Sequence, residues 1–225
     1  MIFKDRRDAG AELARILQGA RENWGDAVVL GLPRGGVPVA YEVARRLKLP
    51  LDVFVVRKLG APGHEELAMG AVASGGERVV NEAVVRELCV SPEALDAVTR
   101  REELEIQRRE QVYREGAAPE RIEGRTAIVV DDGLATGASM LVAVRALWPL
   151  AREIVAAAPV AAEAACRELS REVDQMICIA TPRNFVAVGM FYKNFDPTTD
   201  DQVRKLLVEA RRRTSRDSRR ESASP

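Results

Sequence analysis

Residues 128–139, IVVDDGLATGAS, set a short apolar run directly before two acids, a turn of small residues and the start of a helix. The run TAIVV (126–130) has the length and β-branching of a strand buried on both faces. Beyond Asp131 and Asp132, the Gly- and Ala-rich turn carries hydroxyls at Thr136 and Ser139, and MLVAVRALWPL continues as a helix. Strand, loop and helix in that order form the repeating unit of a parallel α/β sheet, whose ligands sit at the carboxyl ends of strands.

The same alternation extends in both directions. Upstream, a helix-period stripe over 8–22 precedes the buried run AVVLGL (27–32), the turn PRGG, a helix over 37–48 and a second buried run, LDVFVV (51–56). Residues 27–56 therefore form one βαβ unit. The stretch RKLGAPGHEE (57–66) is rich in Gly, Pro and charge and is expected to be a long loop, followed by short strands at 68–73 and 77–80. From Asn81 to Gly116 the pattern is helical, with a break where Ser91 caps and Pro92 takes the first helical position. Downstream come a strand at EIVAAAPV, a helix at EAACRELSRE, a strand at QMICIA (175–180) and a last helix from about Thr199 to Arg213. The expected fold is a single α/β domain over 1–213, a twisted parallel sheet with helices on both faces. The polar tail 214–225 is expected to be disordered.

The chemistry of residues 131–139 is specific. Small residues let main-chain N–H groups approach a ligand closely, and a helix N-terminus favours an anion. That describes a phosphate cup, yet two carboxylates precede it. A ribose whose 5′-phosphate sits in the cup satisfies both, because its 2′ and 3′ hydroxyls donate to the acids. Two further strand ends carry unusual residues: LPRGGVPVA (32–40), where Arg34 offers a fork of donors beside Gly35 and Gly36, and VVRKLGAPGHEELAMG (55–70), with Arg57 and Lys58.

The string IVVDDGLATGAS resembles the signature of the type I phosphoribosyltransferases, which bind 5-phosphoribosyl 1-pyrophosphate (PRPP). The resemblance implies a type I phosphoribosyltransferase-like core over about 30–195, with a helical insertion over about 91–121 and a small hood over about 181–198 joined by the N-terminal region. It implies that Asp131 and Asp132 hold the ribose hydroxyls and act in catalysis, and that Ala135, Thr136, Gly137, Ala138 and Ser139 wrap the 5′-phosphate. Arg34, Gly35 and Gly36 correspond to the loop that binds pyrophosphate, and Arg57 and Lys58 to a PRPP-binding basic pair leading into a loop that closes over the reacting centre. Lys58 has a catalytic role there, sharing neutralisation of the departing charge with Arg34 and Mg²⁺. Mg²⁺ is the implied cofactor, carried mostly by substrate oxygens and water, with Asp131 and Asp132 acting on it indirectly. The hood segment TPRNFVAVGMFYKNF (181–195) supplies Phe185, Phe191 and Tyr192 as rings for stacking on a base. Ala135 stands where members acting on 6-oxopurines usually carry Asp. Glu65 and Glu66, beside His64 on the closing loop, are then the candidates for a general acid.

The implied activity is Mg²⁺-dependent transfer of 5-phosphoribose from PRPP to a nitrogenous base, with pyrophosphate released. The alternative is a regulatory protein that binds PRPP without significant turnover. PRPP and a heterocyclic base are the expected partners, and a homodimer stays open. Thirty-four basic residues balance thirty-four acidic ones, which gives no global attraction to nucleic acid. No apolar run reaches the roughly 20 residues of a membrane helix, and the P-loop pattern of nucleotide hydrolases is missing. Three widely spaced cysteines without a C-x-x-C fit a reducing cytoplasm better than a disulfide or zinc framework.

Overall fold

The computed structural model describes residues 2–221; the side chains of Glu66 and of residues 217–221 lie outside the described set. Five parallel strands form the central sheet: β1 (Val28–Gly31), β2 (Leu51–Val53), β6 (Thr126–Val130), β7 (Glu153–Val160) and β8 (Gln175–Ala180), in the order β2-β1-β6-β7-β8. A separate antiparallel sheet, β3-β4-β5, comprises β3 (Val56–Ala61), β4 (His64–Ala73) and β5 (Arg78–Val80).

Side chains alternate across the central sheet and so build two cores. Val29, Ile128 and Val130 face α1 (Arg6–Ala20), α2 (Gly36–Leu47) and α7 (Asp200–Glu221). Val28, Leu30, Ala127 and Val129 face α5 (Ala138–Leu147) and α6 (Glu163–Leu169). Each fully buried aliphatic side chain contributes about 1.5–3 kcal/mol, which explains why these strands are continuous apolar runs. The chain leaves β1 through α2 to reach β2 on one side, while β6 pairs with β1 on the other. The strand order reverses between β1 and β6, so the loops after these two strands open side by side.

Three expectations need correction. The run 51–56 is not one strand: the chain leaves the parallel sheet after Val53 and enters the antiparallel one at Val56. The expected loop at 57–66 is a β-hairpin, with β3 paired to β4 from Val56↔Ala73 to Ala61↔His64. Pro62-Gly63 closes it as a two-residue turn, with Gly63 at φ 77°, and Leu59 and Met69 are fully buried. The polar character of the stretch is thus turn chemistry and one solvent-facing edge, with no long loop. The tail expected from residue 214 continues α7 to Glu221, and residues 222–225 lie outside the described set. Over the charged 81–116 segment the break is where Ser91 and Pro92 place it, between α3 (Glu82–Glu87) and α4 (Pro92–Arg114), with the Ser91 hydroxyl accepting from the Ala94 amide at 3.2 Å.

Candidate functional site

The loop after β6 is anchored at both ends by main chain. Leu134 N–H donates to Val160 O at 2.9 Å and Ala162 N–H donates to Leu134 O at 2.8 Å, so the turn stays tied to the end of β7. From Leu134 the backbone wraps to the first turn of α5. Gly137 caps this helix at φ 73°, a left-handed conformation that a side chain would strain, and a Cβ there would meet Leu169 Cδ1 at 3.2 Å. The resulting cup has a volume of about 130 Å³ and is lined by Asp131, the loop from Gly133 to Met140, and Val188 of the hood. All of Ala135, Thr136, Gly137, Ala138 and Ser139 belong to it. Val188 is a wall residue that the sequence does not single out.

The acid pair sits at the mouth of the cup. Asp132 N–H donates to Asp131 Oδ1 at 2.8 Å, and Arg6 Nε donates to Asp132 Oδ2 at 2.7 Å. Arg6 is itself held on two further sides: its Nη1 donates to Asp196 O at 2.7 Å, and its guanidinium lies 3.9 Å from the centre of the Phe195 ring. Burial pushes both carboxyls above the usual aspartate range, and the Asp132 charge pushes Asp131 further; Arg6 pulls Asp132 part of the way back. Two crowded, partly desolvated acids accept hydrogen bonds or a cation readily. Arg6 carries no sequence signal; it stands in an ordinary helix start, and only the fold brings it to residue 132.

The loop after β1 presses against these acids. A Cβ on Gly35 would collide with Asp132 Oδ2, and one on Gly36 would lie 2.6 Å from Val130 O. Only glycine fits at this approach, so the loop after β1 and the acid pair share one opening. The Pro33–Arg34 peptide is cis. The Arg34 side chain is half exposed, with Nη1 3.7 Å from Asp200 Oδ1 at the start of α7.

Arg57 and Lys58 do not act as a pair. Successive strand residues point to opposite faces. Arg57 turns toward α4, where its Nε and Nη2 lie 2.8 and 2.7 Å from Glu102 Oε2. Lys58 turns the other way, into a cavity of about 570 Å³ between the hairpin and α5 that it lines together with Ala138 and Ser139. It therefore lies on the cup side of the hairpin. His64 and Glu65 are exposed beside the hairpin turn, and the Glu66 side chain lies outside the described set.

The hood rings divide into two kinds. Phe185 and Phe191 are half-buried and stacked on each other, centroids 5.5 Å apart at 25°. Tyr192 is buried, which corrects its expected role in stacking on a base: its ring packs between Phe3 and Phe195, and its hydroxyl donates to Asp132 O at 2.5 Å. It fixes the acid-bearing main chain and has no free face. Phe3 N–H donates to Phe191 O at 2.8 Å, which ties the N-terminal segment to the hood.

The family model for the phosphoribosyl transferase domain matches residues 3–193. Two Mycobacterium tuberculosis proteins, from strains CDC 1551 and H37Rv and both named provisionally as phosphoribosyl transferases, are 46% identical over 212 residues. That alignment covers 94% of this chain and 47% of theirs, so the chain spans about half the length of the curated relatives it matches. The crystal structure of TT1426 from Thermus thermophilus superimposes with a TM-score of 0.81 at 41% identity, covering 93% of this chain and 99% of that one. The chain belongs to the phosphoribosyl transferase domain family.

Proposed function

We propose that the chain transfers 5-phosphoribose from PRPP to a nitrogenous base and releases pyrophosphate. The observation that carries this reading is the shared opening, where a closed main-chain cup, two partly buried acids and the Gly35-Gly36 loop meet within contact distance. The 5′-phosphate accepts from loop amides and from the Thr136 and Ser139 hydroxyls. The ribose hydroxyls donate to Asp131 and Asp132, which Arg6 and Tyr192 keep in place. Arg34, with the Gly35-Gly36 amides, binds the diphosphate, and Lys58 adds positive charge from the hairpin side. A ring nitrogen lone pair forms the new bond to the anomeric carbon while the bond to the diphosphate oxygen breaks and its electron pair leaves with pyrophosphate. Positive charge develops on the ribose and negative charge on the leaving group; the acids answer the first, and Arg34 and Lys58 the second.

No group of three or more His, Cys, Asp or Glu among the described residues is arranged to hold a metal ion. The two hard carboxylates at the mouth suit Mg²⁺ carried by the substrate's own oxygens and water, and the ion would supply charge neutralisation on the diphosphate. The half-buried Phe185 and Phe191 give the hood a flat apolar surface for the base. Ala135 offers no acid beside the base. An adenine-like or other non-6-oxo acceptor follows; the carboxylate of Glu65 or Glu66 takes the proton that the acceptor ring loses once the hairpin folds inward, and acts as general acid in the reverse direction.

The test is release of pyrophosphate from PRPP with Mg²⁺ across a panel of purine and pyrimidine bases. Turnover of one base is the expected result. PRPP binding with no turnover of any base makes the chain a regulator, and absence of PRPP binding removes the reading altogether.

A further inference from the structure

Helix α4 has a solvent face and an unusually polar inner face. On the outside, Glu105 pairs with Arg108 and Arg109, as surface helices do. On the inside, Thr99, Glu102 and Arg114 are 6%, 6% and 8% exposed, and each is engaged with another part of the chain. Arg78 of β5 donates to Thr99 at 3.2 Å. Glu102 receives Arg57 of β3 through two guanidinium nitrogens. Arg114 grips Asp52 of β2 at 2.9 and 3.1 Å and the Val53 carbonyl at 3.1 Å. Beside it, the Tyr113 hydroxyl donates at 2.8 Å to Asp200, the carboxylate that faces Arg34. Burial and Asp200 push the Tyr113 hydroxyl up to about 12, so it remains a donor at neutral pH.

Desolvation of a buried ion pair offsets most of its attraction, and apolar residues would cover the hairpin at least as stably. What the charged contacts add is direction. We propose that α4 is a positioning element for the donor site: Glu102, by fixing Arg57, sets the pitch of the strand that carries Lys58, while Tyr113 sets the carboxylate opposite Arg34. Both cations assigned to the diphosphate are thereby referenced to one helix. Arg57 is an anchor in this arrangement and touches no substrate. The inference rests on the donor-site reading for its ligand, and on geometry alone for the brace.

The experiment reverses the pair in the full chain: Arg57→Glu, Glu102→Arg, the two together, and the milder Glu102→Gln, with Glu105→Gln as a solvent-face control. Two quantities are read, amide hydrogen exchange over residues 56–61 and 64–73 without ligand, and PRPP affinity with Mg²⁺ by calorimetry. Each single reversal is expected to speed exchange in the hairpin and weaken PRPP binding about tenfold or more, with Glu102→Gln between them and wild type. The double reversal is expected to recover part of both losses, because Arg101, whose Nε lies 3.0 Å from Glu102 Oε1, then faces an arginine. Glu105→Gln is expected to change neither. Where a reversal unfolds the chain, seen as loss of the melting transition, Glu102→Gln carries the same two readings. Unchanged exchange in the altered chains overturns the brace. Exchange restored without affinity in the double variant overturns the positioning role, because Arg57 would then bind substrate itself. A wild-type chain that ignores PRPP refutes the donor-site reading, and exchange alone then decides the brace.

Discussion

The loop at 131–139 and the hairpin at 56–73 flank one opening, yet they are built from different materials. The first is main chain tied to main chain: its amides, its left-handed glycine and its ends are fixed by the parallel sheet beneath it. The second stands in its own small sheet and is placed by side chains, Leu59 and Met69 in the apolar core and Arg57 on Glu102. A site made of backbone tolerates many side-chain changes and recognises one shape, in the proposed function a phosphorylated ribose. A site placed by side chains drifts more readily, which suits the role proposed for the hairpin, beside the acceptor.

Four measurements put this contrast to the test. The largest effect belongs to the backbone-built side. Asp131→Asn with Asp132→Asn removes both charged acceptors for the ribose hydroxyls, and each lost bond costs about 1.5–3 kcal/mol, so PRPP affinity by calorimetry falls well over a hundredfold. Unchanged affinity would mean that the ribose binds elsewhere. Next, Arg34→Ala is expected to cut turnover at saturating PRPP by about tenfold or more, with the melting temperature held, because its half-exposed contact with Asp200 at 3.7 Å stabilises little. A normal rate would remove Arg34 from the diphosphate.

The third concerns stability. Burial and the neighbouring charge hold Asp131 above its ordinary range, so the folded chain keeps that proton to higher pH than the unfolded chain does. Folded stability therefore falls as pH rises from the ordinary aspartate value of about 4 through the raised one. Asp131→Asn lifts this penalty, and the ligand-free variant melts above wild type at pH 7, by roughly 2–4 °C for each kcal/mol recovered. The gain shrinks toward pH 4, and equal melting at both pH values would reject a strained, desolvated carboxylate. The smallest effect is expected at the hairpin tip. Glu65 is exposed, so Glu65→Gln lowers the rate only to the extent that the hairpin folds over the centre, short of the roughly hundredfold that a fully engaged acid or base contributes. No loss in either Glu65→Gln or Glu66→Gln would leave the proton transfer to other groups.

Legibility in the sequence followed the same divide. The run before Asp131, the small turn and the helix start lie within twelve consecutive letters, and the fold reproduces them as strand, cup and helix because local patterning and backbone geometry decide such units. The hairpin was hidden because Gly60, Pro62, Gly63 and His64 look like loop composition, whereas one buried face, Leu59 and Met69, suffices for pairing. The separation of Arg57 from Lys58 follows from the period of a strand once the strand is known. Tyr192 among the hood aromatics could be told from Phe185 and Phe191 only through its partners Phe3 and Asp132, which are remote in sequence. Arg6 and Glu102 were invisible for the same reason: their importance lies wholly in contacts made across the chain.

The Arg6 clasp also bears on the order in which the molecule assembles. Its two hydrogen bonds span 126 and 190 residues, joining the first helix to the middle and the far end of the chain. Closing loops of that length carries a large entropic cost, and such contacts form after local helices and neighbouring strands have condensed. The clasped form of Asp132 is then the last feature the polypeptide acquires. Any ligand requiring Asp132 in its clasped position binds the finished fold alone and draws the population toward it in proportion to its concentration over its dissociation constant.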